Sequence, residues 1–206
     1  MGGITFRIES WEVLGPLLLA FGAVLAVRAR RGEPGWHGVP ALTRLLAAVY
    51  VAGFAHFTFF PIIVDRSQNL SPWYEQTQPI PFLGLLSLDP GFVLNVFLFA
   101  PLGMVLLLMT RGDLSPKRVA LRCLAVSAAV EITQLVMYIL FSNGRSADAD
   151  DLVANTLGGV LGFLVLRLAL RSTALSRIVR PFALPGTALA GSAPETRVPT
   201  ADSVSR

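Results

Sequence analysis

Five stretches of this chain are each long and apolar enough to cross a bilayer: about Trp11 to Val27, Ala41 to Val64, Phe92 to Met109, Val119 to Phe141 and Leu152 to Leu170. Nothing else in the sequence limits the fold as much. A hydrocarbon core about 30 Å thick needs about 20 predominantly apolar residues at about 1.5 Å of rise each. Inside it every backbone polar group must be satisfied internally, which leaves only helices or closed barrels. A barrel would show short alternating segments, whereas these runs are unbroken. With 53% hydrophobic and 15% charged residues, the chain is also too apolar for an ordinary soluble domain. The expected fold class is all-α: a polytopic membrane protein of about five transmembrane helices. Pro101, inside the third run, is expected to kink it.

The basic residues set an orientation. Arg28, Arg30 and Arg31 follow the first run, with Arg44 beside them; Arg111, Lys117 and Arg118 lie between the third and fourth; Arg171 follows the fifth. The other two loops hold one arginine each, Arg66 and Arg145. Positive residues stay inside, so the N-terminus is expected outside and the C-terminus inside. The positive cluster follows the first run instead of preceding it, so that run is taken as an uncleaved span, not a signal peptide. The loops holding Asp65, Glu75, Asp89, Asp148, Asp150 and Asp151 then all face outward.

Three regions follow. Residues 1–64 carry two spans and a basic inner loop, residues 65–171 carry an outer loop and three spans, and residues 172–206 form a basic flank and a tail. Within the outer loop, Ile80 to Leu88 is too short to span and is expected at the interface or part way in. From Pro181 the Ala-, Pro-, Ser- and Thr-rich tail is expected to be disordered. The net charge of +4 sits beside apolar runs and suits lipid headgroups, with no aromatic platforms for nucleic acid. The single cysteine, Cys123, excludes an internal disulfide and is expected to fill space in a helix.

The residues that do not belong in hydrocarbon cluster late in the chain. Glu131 and Gln134 sit inside the fourth run, Asn95 near the start of the third and Asn155 near the start of the fifth. A buried charge costs roughly 2.5–3.5 kcal/mol at a helix centre on insertion scales. Glu131 therefore needs a proton, a cation or a hydrogen-bonded partner. Glu131 and Gln134 are three apart and share a helix face; Asp148, Asp151 and Asn155 share another. Counting from the outer ends of their helices, Asn95 and Asn155 lie about one turn down, Gln134 about 10 Å and Glu131 about 15 Å. Two antiparallel helices joined by a short loop can bring these faces into one outward-opening polar pocket, with Arg145 at its rim. The plainer readings are helix capping by Asp148, Asp150 and Asp151, inter-helix bonding by Asn95 and Asn155, and packing by Gly158, Gly159 and Gly162. His56 in the second run is either part of a site or a packing residue bonded to a neighbour. The chain shows no metal-ligand motif, and no cofactor is expected.

Asn95 to Gly103 (NVFLFAPLG), then Glu131 and Gln134, then Arg145, Asp148, Asp151, Asn155, Gly158 and Gly162 in this order and spacing resemble the VanZ-like membrane proteins. Pro79 to Phe82 (PIPF) fits the Pro-Phe that precedes the asparagine helix in that family. The resemblance covers about Pro79 to Leu170. It implies a multi-pass protein of the bacterial cytoplasmic membrane and a link to low-level resistance to the glycopeptide teicoplanin. The polar pocket described above gives the expected binding residues, Asn95, Glu131, Gln134, Arg145, Asp148, Asp151 and Asn155, with Glu131 as the candidate catalytic group if there is one. The expected partners are membrane lipids, with a lipid-linked cell-wall precursor or a lipoglycopeptide as further ligands. Three other readings stay open: an intramembrane enzyme on a lipid-linked envelope substrate with Glu131 or Asp148 as base, a proton-coupled transporter using Glu131 and His56, and a structural or assembly subunit with no ligand.

Overall fold

A computed structural model describes residues 5–65, 89–112, 114–141 and 148–191. The five apolar runs are helices α1 (Ser10–Arg30), α2 (Gly38–Phe59), α3 (Pro90–Met109), α4 (Pro116–Phe141) and α5 (Ala149–Ala169). All five are long and apolar enough to cross a membrane. Local chemistry starts and stops them. Glu9 and Glu12 form a capping box at the head of α1, with Glu12 accepting from the Glu9 amide at 2.9 Å. Asp89 accepts from the amides of Gly91 and Phe92, and Pro90 takes the first position of α3, where its missing N–H is harmless. Asp148 caps α5 by accepting from the Asp150 amide at 2.8 Å.

The second run does not stay helical to Val64. α2 ends at Phe59, before Pro61, because a proline disfavours helix in the residue before it. The β-branched run beyond it, Ile62–Asp65, becomes strand β2 and pairs antiparallel with β1, Thr5–Ile8, so that Phe6 faces Val64 and Arg7 faces Ile63. This short ladder ties the head of α1 to the tail of α2. His56 Nδ1 adds to the tie, 2.7 Å from Ser10 Oγ.

α3, α4 and α5 form the packed centre, and α3 meets α5 along a seam of glycines. A Cβ built on Gly103 would lie 1.8 Å from the Gly159 carbonyl oxygen; on Gly158, 2.2 Å from that of Val96; on Gly162, 1.9 Å from that of Ala100. The two backbones therefore touch, and only hydrogen fits between them. On the other side of α5, Cys123 of α4 fills the space beside Gly159 and is fully buried with Val119 and Phe163. α1 contributes no buried residue and leans on α2, leaving an apolar cleft of about 550 Å³ between α1, α2 and α3.

Burial is inverted relative to a water-soluble protein. Large apolar side chains such as Leu19 (77% exposed) and Phe97 (71%) point outward, while Ser127, Glu131, Gln134 and Asn155 are buried. A lipid surround accounts for both halves of that pattern. At the opposite end of the bundle from β1 and β2, the stretch after Pro181 departs from the expected disorder. Beyond the short helix α6 (Thr173–Val179), a 3₁₀ turn at Arg180–Phe182 leads into buried Ala183, Leu184 and Thr187. Thr43 Oγ1 donates to the Phe182 carbonyl at 2.7 Å, and the Leu184 amide donates to the Leu108 carbonyl at 2.9 Å. Buried Ala183, Leu184 and Thr187, one side-chain bond and one backbone bond hold in place a segment whose composition alone reads as structureless. Residues 192–206 of the tail and residues 66–88 of the loop, with the Ile80 to Leu88 stretch, lie outside the described residues.

Candidate functional site

At the end of the bundle that carries β1 and β2, four helices enclose a cavity of about 230 Å³. α2 lines it with Phe54, Phe57 and Thr58, α3 with Asn95 and Phe99, α4 with Val130, Glu131 and Gln134, and α5 with Asp151 and Asn155. Five of the seven residues expected to bind a ligand thus share one space. Asp148 does not line it, and Arg145 lies outside the described residues.

The polar walls are bonded to one another in a fixed order. Glu131 Oε2 accepts from the Asp148 amide at 3.0 Å. Asn95 Nδ2 donates to Asp151 Oδ1. Asn155 Nδ2 donates to Ser127 Oγ at 2.9 Å, and Gln134 Nε2 donates to the Thr58 carbonyl at 3.3 Å. These bonds stitch α3 to α5, α5 to α4 and α4 to α2. Gln134 Oε1 and Asn155 Oδ1 are buried without a hydrogen-bond partner among the described residues. Burial pushes the Asp148 carboxyl, just ahead of α5, above the usual carboxylate range, while the Asp150 amide pulls it the other way.

Glu131 finds its partner by a route the sequence did not indicate. Its carboxylate reaches an amide at the head of α5, where the helix dipole favours negative charge. α5 therefore begins level with Glu131, although α4 runs on for ten residues to Phe141, about 15 Å at about 1.5 Å each. Counted along its own helix, Glu131 lies about 15 Å below the end of α4, as expected; the head of α5 is offset beside it, and the offset brings Glu131, Asp151 and Asn155 to the walls of one cavity.

His56 does not join the group. It is bonded to Ser10 and does not line the cavity, so the two residues named for a proton-coupled transporter do not share that space. Ser127 is the functional-looking residue that motif reasoning passed over. It is fully buried, accepts from Asn155 and lies 3.5 Å from the Asp151 carbonyl. Its position one turn before Glu131, on the same face, was the available signal. Among the described residues no group of three or more His, Cys, Asp or Glu side chains is placed to hold a metal ion.

Searches of curated proteins and of solved structures returned no match to the chain. A family model described as VanZ/LLP1 matches residues 47–170. The match begins inside α2, earlier than the Pro79 at which the resemblance was expected to start, and so takes in the Phe54, Phe57 and Thr58 wall. It covers more than half of the 206 residues and every described wall of the cavity, and on that match the chain belongs to the VanZ/LLP1 family.

Proposed function

We propose that this VanZ-like membrane protein resides in the bacterial cytoplasmic membrane and uses its cavity to bind or shield the polar head of a cell-envelope lipid or lipoglycopeptide. The observation that carries the reading is the cavity itself: two carboxylates and two amide oxygens with no partner among the described residues, in a bundle that turns large apolar side chains such as Leu19 and Phe97 outward. Such groups are costly among hydrocarbon unless something uses them. Gln134 and Asn155 orient the head through their free oxygens, and Glu131 serves as acid or acceptor. Arg145 holds the anionic group of the ligand at the rim. An arginine suits that task because its planar fork matches a phosphate or carboxylate in two-pronged fashion.

The cavity lies at the end of the bundle away from Arg28, Arg30, Lys117, Arg118 and Arg171. By the rule that positive residues stay inside, its mouth faces the envelope. Single cysteines at Arg7 and Lys117 test this in intact cells after Cys123→Ala. Arg7→Cys is expected to react with an impermeant maleimide and Lys117→Cys to be protected. The reverse pattern would turn the cavity to the cytoplasm and remove an envelope ligand.

The binding role is tested at Arg145. If the fork grips an anion, Arg145→Lys and Arg145→Ala are expected to lose glycopeptide resistance, or retained envelope lipid, to a similar degree at equal abundance. An arginine that only balances exposed carboxylates is worth about 0–1 kcal/mol, and Arg145→Lys would then behave as wild type and end the clamp reading.

A further inference from the structure

The three amides of the cavity are all turned the same way. Gln134 Nε2 points to a carbonyl, Asn95 Nδ2 to a carboxylate, and Asn155 Nδ2 to Ser127 Oγ, whose own proton points toward the Asp151 carbonyl. Turning the amide of Gln134 or Asn95 over would set oxygen against oxygen, so the neighbours fix these orientations. Each amide nitrogen thus spends one of its two N–H bonds within the protein, and the two cavity atoms left with no partner among the described residues are both acceptors. Gln134 Oε1 and Asn155 Oδ1 are free, on side chains only 9% and 3% exposed. Glu131 and Asp151 add two carboxyl groups, and among the described residues no Lys or Arg forms an ion pair with either. Phe54, Phe57 and Phe99 supply aromatic walls, with Phe54 packed edge-on against Phe99 at 5.2 Å between centroids.

We propose that the group this cavity takes is a primary ammonium, the terminal amine of an ethanolamine-type lipid headgroup; the inference rests on the reading of the cavity as a headgroup site. Each feature narrows the class. Two unpartnered carbonyl oxygens beside two carboxyl groups ask for a donor-rich group, and an ammonium brings three N–H bonds and no acceptor. Carboxylates with no paired Lys or Arg among the described residues favour a charged donor over a neutral hydroxyl. Aromatic walls stabilise a cation laid against their faces. A quaternary ammonium would satisfy the walls and leave Gln134 Oε1 and Asn155 Oδ1 without bonds. A bare metal ion is too small for the space, since about 230 Å³ is roughly eight times the 30 Å³ share of one water.

The test uses the full chain reconstituted in phosphatidylcholine bilayers containing equal minor fractions of phosphatidylethanolamine and phosphatidylglycerol. After extraction, the lipid retained on the protein is identified and counted by mass spectrometry. Phosphatidylethanolamine is expected to be enriched about tenfold over each of the other two relative to the bilayer. Glu131→Gln and Gln134→Leu are each expected to bring the retained lipid back toward the bilayer ratio, while Leu19→Ala on the outer surface of α1 keeps the enrichment. Equal enrichment of phosphatidylethanolamine and phosphatidylglycerol over phosphatidylcholine would overturn the amine and leave the headgroup site standing. No enrichment of any lipid would remove both. Enrichment that survives both cavity variants would place the amine elsewhere and overturn the proposal. If either variant fails to accumulate, the ranking of the three lipids on the wild-type chain still decides.

Discussion

Gly162→Ala is expected to stop this protein from accumulating in the membrane. The added methyl would stand 1.9 Å from the Ala100 carbonyl oxygen, a backbone atom that no rotamer change can move. α3 and α5 would have to separate along their whole seam, because Gly103 and Gly158 hold the same close approach on either side. Overpacking a core commonly costs about 1–3 kcal/mol; a clash against main chain, in a seam held close at the neighbouring levels too, is expected to reach about 3 kcal/mol or more. Thermal unfolding in detergent, together with abundance in membranes, checks the figure. Gly22→Ala is the control, since nothing lies within 4 Å of a Cβ built there, and helix propensity favours alanine by about 1 kcal/mol. Equal unfolding temperatures for the two variants would mean that the seam is not where the bundle is held.

The second large effect is at Glu131, where stability and activity are expected to part. Glu131→Gln keeps an oxygen for the Asp148 amide at nearly the same place. It is expected to change unfolding by no more than about 1 kcal/mol, within the range of a single neutral hydrogen bond. Glu131→Leu leaves that amide without its partner and is expected to cost about 2–3 kcal/mol, as for losing a bond to a charged acceptor. Both variants are expected to lose the resistance or lipid-retention readout, because both remove the carboxylate from the cavity. Wild-type readout for Glu131→Gln at equal abundance would reduce the carboxylate to a cap on the head of α5.

Much of this was legible in the residues, for a physical reason in each case. Spans are set by the length of hydrocarbon to be crossed, so apolar run length alone located all five helices to within a few residues. Gly158 and Gly162 announced close packing through their spacing, and Asn95, Glu131, Gln134, Asp151 and Asn155 announced a shared space because each is costly alone in lipid. What escaped notice depends on long-range partners. The ladder of Thr5–Ile8 with Ile62–Asp65 pairs residues more than fifty positions apart, and neither strand is long enough to show a pattern by itself. The depth of α5 beside α4 is fixed by where the seam glycines meet α3, which no count from helix ends contains. Ser127 stayed inconspicuous because a hydroxyl in an apolar helix is cheap to satisfy on its own backbone.

The contacts of Phe182 and Leu184 have a consequence for how the protein is made. The segment that carries them leaves the ribosome only after every membrane-spanning helix has been synthesised. Until then Thr43 and the Leu108 carbonyl lack the partners they have in the finished fold. The two ends of the bundle are therefore completed at different times. The cavity end depends only on helices that insert one after another, while the opposite end stays unlatched until translation has passed residue 184. A quality-control protease that samples nascent membrane proteins would meet an open seam at the end opposite the cavity during that interval, and a closed one afterwards.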